Sequence, residues 1–178
     1  MPATKIDHNT LSLHNSNLSR KEIGVLVTAM QSAPGFSGAT INEYEVYNQA
    51  RRIIALRVNN EIAGIAAYKN FGKNWVEFSA LIVLPKFRGQ GLGRKLWQEA
   101  MQKFTGRSIL AISANPLIKK NLALANGFEQ KSFWQLPGEA QRYFILQKIS
   151  WAKVKGLMSK QSAPMREFDF FVRQTDEL

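Results

Sequence analysis

Apolar positions along this chain switch between a period near two and a period near 3.6. Glycine, proline and asparagine mark most of the switches. A first strand is expected within residues 5–14. Ser19 with Glu22 three residues on has the spacing of a capping box, which predicts a helix from there to Met30. Pro34-Gly35 and Gly38 predict a loop, and residues 42–50 a short second helix. Residues 52–58 read as a strand, and Asn59-Asn60 as a tight turn into a second strand over 62–68. Gly72-Lys73-Asn74 turns the chain again, into a strand over 75–84. An amphipathic helix over 92–101 follows, then Gly106 and a short apolar strand over 109–113. Residues 116–126 read as a helix with Gly127 in a left-handed cap. Residues 129–136 and 142–148 read as two strands parted by Pro137-Gly138. In the tail Trp151, Val154, Leu157 and Met158 have helical spacing, and Phe168, Phe170 and Val172 alternate as in a strand.

Strand, two helices, three strands, helix, strand, helix and two strands imply an α/β fold whose sheet mixes hairpins with crossovers. With 178 residues and no internal repeat, one domain over 1–149 is expected, with 150–178 as an extension packed on it. The apolar run over 78–84 is far too short to span a bilayer, and residues 1–18 lack the apolar segment of a secretory signal. The chain has no cysteine, which removes disulfides, a thiol nucleophile and thiolate metal sites, and fits a cytoplasmic setting. Its two histidines, His8 and His14, lie in a polar segment, so no metal is expected.

The candidate chemistry concentrates in Arg88-Gly89-Gln90-Gly91-Leu92-Gly93-Arg94, between the strand over 75–84 and the following helix. Glycines at alternate positions let a ligand reach main-chain N–H groups, and a helix start adds unpaired donors and a positive dipole end. Such a turn suits pyrophosphate. A dinucleotide fingerprint would need its third glycine at Arg94, and a nucleotide-triphosphate loop would need Lys-Ser or Lys-Thr after Gly93. What fits is R-x-x-G-x-G, met by Arg88, Gly91 and Gly93, inside V-x-P-x-x-R-G-x-G-x-G from Val83 through Pro85. This resembles the acetyl-coenzyme-A-binding motif of the Gcn5-related N-acetyltransferase (GNAT) superfamily. Asn126-Gly127-Phe128 also resembles the Gly-Phe pair that ends that family's second coenzyme-contacting helix.

The resemblance covers about residues 5–148 and is best over 75–128. It implies the GNAT acyl-CoA N-acyltransferase fold, a mixed, mostly antiparallel central sheet flanked by helices. It implies a transferase that moves acetyl from acetyl-CoA to an amine by direct attack in a ternary complex, with no metal. Main-chain groups of Leu81, Ile82 and Val83 are expected to hold the pantetheine arm. Arg88, Gly89, Gln90, Gly91, Leu92, Gly93 and Arg94 are expected on the pyrophosphate, and Asn115, Lys119, Lys120 and Asn121 on the arm and phosphates.

Glu77 is the only carboxylate over 75–84, and strand alternation places it on the face of Val83. Flanked by Trp75, Val76 and Phe78, it is expected to be partly desolvated, as a general base requires. The family often carries a Glu there; the alternative is a structural ion pair with a neighbouring Arg or Lys. Ser79 is the candidate for holding a relay water. One departure stands out: the family's usual acidic Tyr, four residues before the Gly-Phe pair, is replaced by Ala123 between Leu122 and Leu124. Tyr143, expected on the last strand, is the candidate substitute. Loss of the thiolate through water, or coenzyme binding with little turnover, are the alternatives. Phe36, Tyr44, Tyr47, Phe133 and Trp134 are the expected walls of the acceptor pocket.

Charge adds to this picture. Lys and Arg number 24 against 13 Asp and Glu, a net +11, and residues 86–131 hold nine basic against two acidic residues. Such a surface draws phosphorylated coenzyme and also acidic macromolecules, and it repels small polycationic amines. The resemblance implies an amine-bearing small molecule or protein as acceptor, and the charge adds an acidic macromolecule such as aminoacyl-tRNA to the expectations. A regulatory acetyl-CoA-binding module and a plain nucleic-acid binder remain as readings from other classes. No membrane contact is expected, and monomer and homodimer both stay open.

Overall fold

The structure is a computed structural model that describes residues 11–14, 17–33, 39–113, 127–154 and 169–175. The expected loop at 34–38, the helix over 116–126 and most of the tail lie outside these residues. The elements are β1 (Leu11–His14), α1 (Arg20–Gln31), α2 (Ile41–Gln49), β2 (Ile53–Val58), β3 (Glu61–Phe71) and β4 (Trp75–Val83). They continue with α3 (Leu92–Lys103), β5 (Ser108–Ser113), β6 (Glu129–Lys131), α4 (Gly138–Val154) and β7 (Asp169–Arg173). Seven strands pair in the order β1-β2-β3-β4-β5-β7-β6, a mixed α/β fold with mostly antiparallel neighbours and flanking helices. Among the described residues no helix is long and apolar enough to cross a membrane. Contacts divide the chain into two units, one from residues 1–69 and 78–105, the other from 70–77 and 106–178.

In the first unit local chemistry sets the helix starts. The Ser19 hydroxyl accepts the Glu22 N–H at 3.3 Å, and the Ser19 N–H donates to the Glu22 carboxylate at 2.9 Å, the reciprocal capping box. Thr40 caps α2 in the same way, accepting from the Glu43 N–H. Asn59 and Asn60 both have positive φ, 50° and 63°, the twisted two-residue turn that joins β2 to β3. Apolar stripes of α1 and α2, with Leu26, Met30, Tyr44 and Tyr47, pack on Ile53, Ile65, Ala67, Ala80 and Ile82 of the sheet. The other face meets α3, where Trp97 lies against Phe78 and Leu96 is fully buried.

Along β4, Phe78 packs on Trp97 of α3, and Ala80 and Ile82 lie in the layer under α1 and α2.

The second unit holds β5, β7, β6 and α4 around Phe71, Trp75, Leu110, Leu136, Ala140, Phe170 and Val172. The tip of the β3–β4 hairpin is pinned there: Arg107 donates to Asn70 Oδ1 and to the Trp75 carbonyl, both at 2.9 Å. Two expectations are corrected. The strand over 129–136 ends at Lys131, and Ser132 starts a 3-10 turn over Phe133–Gln135. The strand over 142–148 is instead part of α4, because Leu136, Ala140 and Phe144 recur at helical spacing on the core while Pro137 accepts the first helical N–H, from Gln141. Position 149/150 falls inside α4, and β7 enters the sheet between β5 and β6, antiparallel to both.

Candidate active site

The glycine-rich turn is built at the end of β4 in the first unit. The Leu84 N–H still pairs with the Ala63 carbonyl at 2.8 Å, and Pro85–Phe87 then makes one 3-10 turn. Arg88 closes the turn through its Nε, which donates to the Val83 carbonyl at 3.0 Å. Lys86 pairs with Glu61 at the start of β3. Gly89 and Gly91 have φ of 79° and 75°, a region that glycine enters without strain, and no other atom lies within 4 Å of where a Cβ would stand. Gly91 is the N-cap of α3, and no side chain caps the helix. The first N–H groups of α3 thus have no side chain of their own turn in front of them, an arrangement suited to an anion by helix geometry and dipole. A coenzyme pyrophosphate fits this cradle, since a side chain at Gly89 or Gly91 would take up the space in front of those donors. Gly93 differs: a Cβ there would meet only Val83 Cγ2, at 3.8 Å. Arg94 is exposed at the same helix start, whereas Leu92 is buried beneath it.

Glu77 is partly buried in the second unit, and its Oε2 accepts a hydrogen bond from the Tyr143 phenol at 2.5 Å. A phenol donating to a carboxylate at this distance is a charge-assisted bond. The Tyr143 ring lies flat on Phe71, with centroids 3.9 Å apart and planes 10° apart. Phe71 in turn stacks on Trp75 at 5.6 Å. Sequence reasoning named Tyr143 but put it on a strand; it arrives from the first turns of α4. The Pro-Gly pair followed by Glu-Ala-Gln-Arg was the signal for that helix start. Ser79, on β4, has a buried Oγ with no hydrogen-bond partner among the described residues. Buried hydroxyls are normally satisfied, so this one is suited to a water or a ligand atom.

The expected acceptor walls fall in both units. Tyr44 and Tyr47 are 5% and 4% exposed, and their rings meet tilted by 36° with centroids 5.4 Å apart, so both belong to the core of the first unit. Phe133 packs on Phe144 and Phe170 in the second unit, whereas Trp134 is 83% exposed. Phe36, Asn115, Lys119, Lys120, Asn121 and Ala123 lie outside the described residues, as do Leu122 and Leu124.

The fold is a mixed α/β sheet with a glycine-rich turn, suited to an anion, between a strand and the helix that follows it. Residues 27–126 match the model of the acetyltransferase (GNAT) family, more than half of the chain, and this protein belongs to that family. Mycothiol acetyltransferase of Streptosporangium roseum is 26% identical over 131 residues, covering 69% of this chain and 39% of its own length. N-acetylglutamate synthase of Neisseria gonorrhoeae, solved with coenzyme A and N-acetyl-glutamate, aligns with a TM-score of 0.66 at 18% identity, over 92% of this chain and 34% of that one. An acetyltransferase from Streptococcus agalactiae aligns with a TM-score of 0.60 at 15% identity, over 93% of this chain and 99% of its own. The chain thus spans about two fifths of the curated relative and about a third of the synthase chain. At such identities the likeness to solved structures is one of fold.

Proposed function

We propose that this chain is an N-acetyltransferase that moves an acetyl group from acetyl-CoA to an amine, by direct attack in a complex holding both. The cradle at the start of α3, with Gly89 and Gly91 left-handed and open in front, is the observation that carries this reading. Acetyl-CoA, when bound, supplies the acetyl group as a thioester. Arg88, Gly89, Gln90, Gly91, Leu92, Gly93 and Arg94 would hold its pyrophosphate. Leu81, Ile82 and Val83 would offer main-chain groups to the arm, and Asn115, Lys119, Lys120 and Asn121 are assigned to arm and phosphates by the family motif alone.

In this reading the Glu77 carboxylate takes a proton from the acceptor's ammonium, with Ser79 Oγ holding the water through which it passes. Tyr143 supplies a proton to the departing sulfur and recovers one from Glu77, to which its phenol is already hydrogen-bonded. Of the two protons that the ammonium loses on becoming an amide, one ends on the thiol and the other leaves to solvent. The relatives are named for mycothiol or solved with N-acetyl-glutamate, which favours a small molecule, with a protein amine in the same chemical class. The basic excess over residues 86–131 favours a second reading, an acidic macromolecule such as aminoacyl-tRNA as acceptor.

A thermal-shift titration tests the central claim. At a hundredfold excess over the dissociation constant, acetyl-CoA is expected to stabilise the wild type by about 2.7 kcal/mol. Gly91→Glu, still folded by circular dichroism, is expected to show no shift, and Glu77→Gln to keep the shift and lose turnover. A wild type that does not respond sinks the transferase reading; a full shift without turnover on any amine leaves a coenzyme-binding module.

A further inference from the structure

Strands β6 and β7 are antiparallel neighbours, a pair that a two-residue turn can join, yet 37 residues lie between Lys131 and Asp169. The excursion contains α4, and the start of α4 is seated on the tip of the β3–β4 hairpin. The Glu139 carboxylate accepts the Lys73 N–H at 2.9 Å. A Cβ on Gly72, whose φ is 53°, would stand 1.8 Å from Glu139 Oε1, so residue 72 has to lack one for the carboxylate to sit there. Ala140 is fully buried beside it. Tyr143 is one helical turn on from Glu139, on the same face, and it reaches Phe71 and Glu77.

We propose that Glu139, seated on the Gly72–Lys73 turn, is a positioning residue that sets the register of α4 so that the Tyr143 phenol is held on Glu77. This rests on the reading of Glu77 as the proton acceptor of the transfer. Catalytic groups have to be held within about 0.5 Å of productive geometry, and a helix pinned one turn from the phenol provides that precision. In that reading Tyr143, carried by α4, offers a hydroxyl in a chain that has Ala123 at the family's usual Tyr position.

The test needs neither acetyl-CoA nor an acceptor. Proton nuclear magnetic resonance of the wild type is expected to show a far-downfield hydroxyl resonance that disappears in Tyr143→Phe and in Glu77→Gln. Glu139→Ala and Gly72→Ala are expected to lose it or move it toward the solvent position. Glu139→Gln, which keeps a carbonyl acceptor for the Lys73 N–H, is expected to retain it. Melting temperatures measured alongside separate this from global unfolding. A wild type without the resonance, or Glu139→Ala with the resonance unmoved, overturns the proposal. Failure of the transferase reading shows separately, as an absent acetyl-CoA thermal shift with the hydroxyl signal intact.

Discussion

Gly64 illustrates how much can rest on one missing side chain. A Cβ at this position would lie 2.5 Å from the Ile82 carbonyl, 3.1 Å from Leu96 Cδ1 and 3.2 Å from Val83 Cα. Two of those three atoms are backbone, so the neighbours cannot rotate aside. Gly64→Ala is expected to cost about 1–3 kcal/mol through overpacking, read as a lower denaturant midpoint with an unchanged slope. It is also expected to weaken acetyl-CoA binding, because the displaced residues lead directly into the cradle. A variant as stable as the wild type would show that β4 can shift freely. Gly89 and Gly91 stand in open space, so their substitution acts on the ligand and through left-handed strain. Gly64 thus differs in kind from Gly89 and Gly91 although the sequence writes them alike.

At the scale of elements, α1 is tied to the sheet by its own capping residue. Glu22 completes the box with Ser19 and also pairs with Arg57, beside the register shift in β2. Burial pushes the Glu22 carboxyl up, but the hydrogen bonds from Arg57 and Ser19 outweigh it and hold the group below its ordinary 4.5. A carboxyl depressed in the folded state contributes stability above its unfolded value, and that stability is lost as pH falls through the folded value. Glu22→Gln is therefore expected to melt below the wild type at neutral pH, with the gap closing as pH falls below 4.5. Melting curves from pH 7 to about pH 3 would decide this, and a gap that stays constant would contradict the linkage. The same scale holds the main misreading of the sequence. Tyr143-Phe144-Ile145-Leu146 is apolar at every position, and such a run fits strand and helix equally until its neighbours are known. The contacts of Leu136, Ala140 and Phe144 with one core resolve it in favour of a helix.

For the whole molecule the dominant long-range property is charge, +11 in total and concentrated over residues 86–131. Association with a polyphosphorylated coenzyme is expected to weaken as salt rises, because the screening length falls from about 10 Å at 0.1 M to about 3 Å at 1 M. Isothermal titration of acetyl-CoA across that range checks it, and an unchanged affinity would remove the basic half from the binding account. Binding of an uncharged-end tRNA that survives at about 0.15 M salt would favour the acidic-macromolecule acceptor. The order of most elements, the capping box of α1, the Asn59-Asn60 turn and the glycine turn before α3 were legible in the sequence, because each depends on residues close together in the chain. The amino-acid string likewise named Glu77 and Tyr143, but it could not join them. Their hydrogen bond spans 66 positions and depends on α4 folding back onto the hairpin tip, where Gly72 leaves room for Glu139. The burial of Tyr44 and Tyr47 and the place of β7 between β5 and β6 were decided in the same way. Local backbone preferences are written in a few adjacent residues, whereas faces, registers and partners are set by packing between segments far apart, and only the folded chain fixes them.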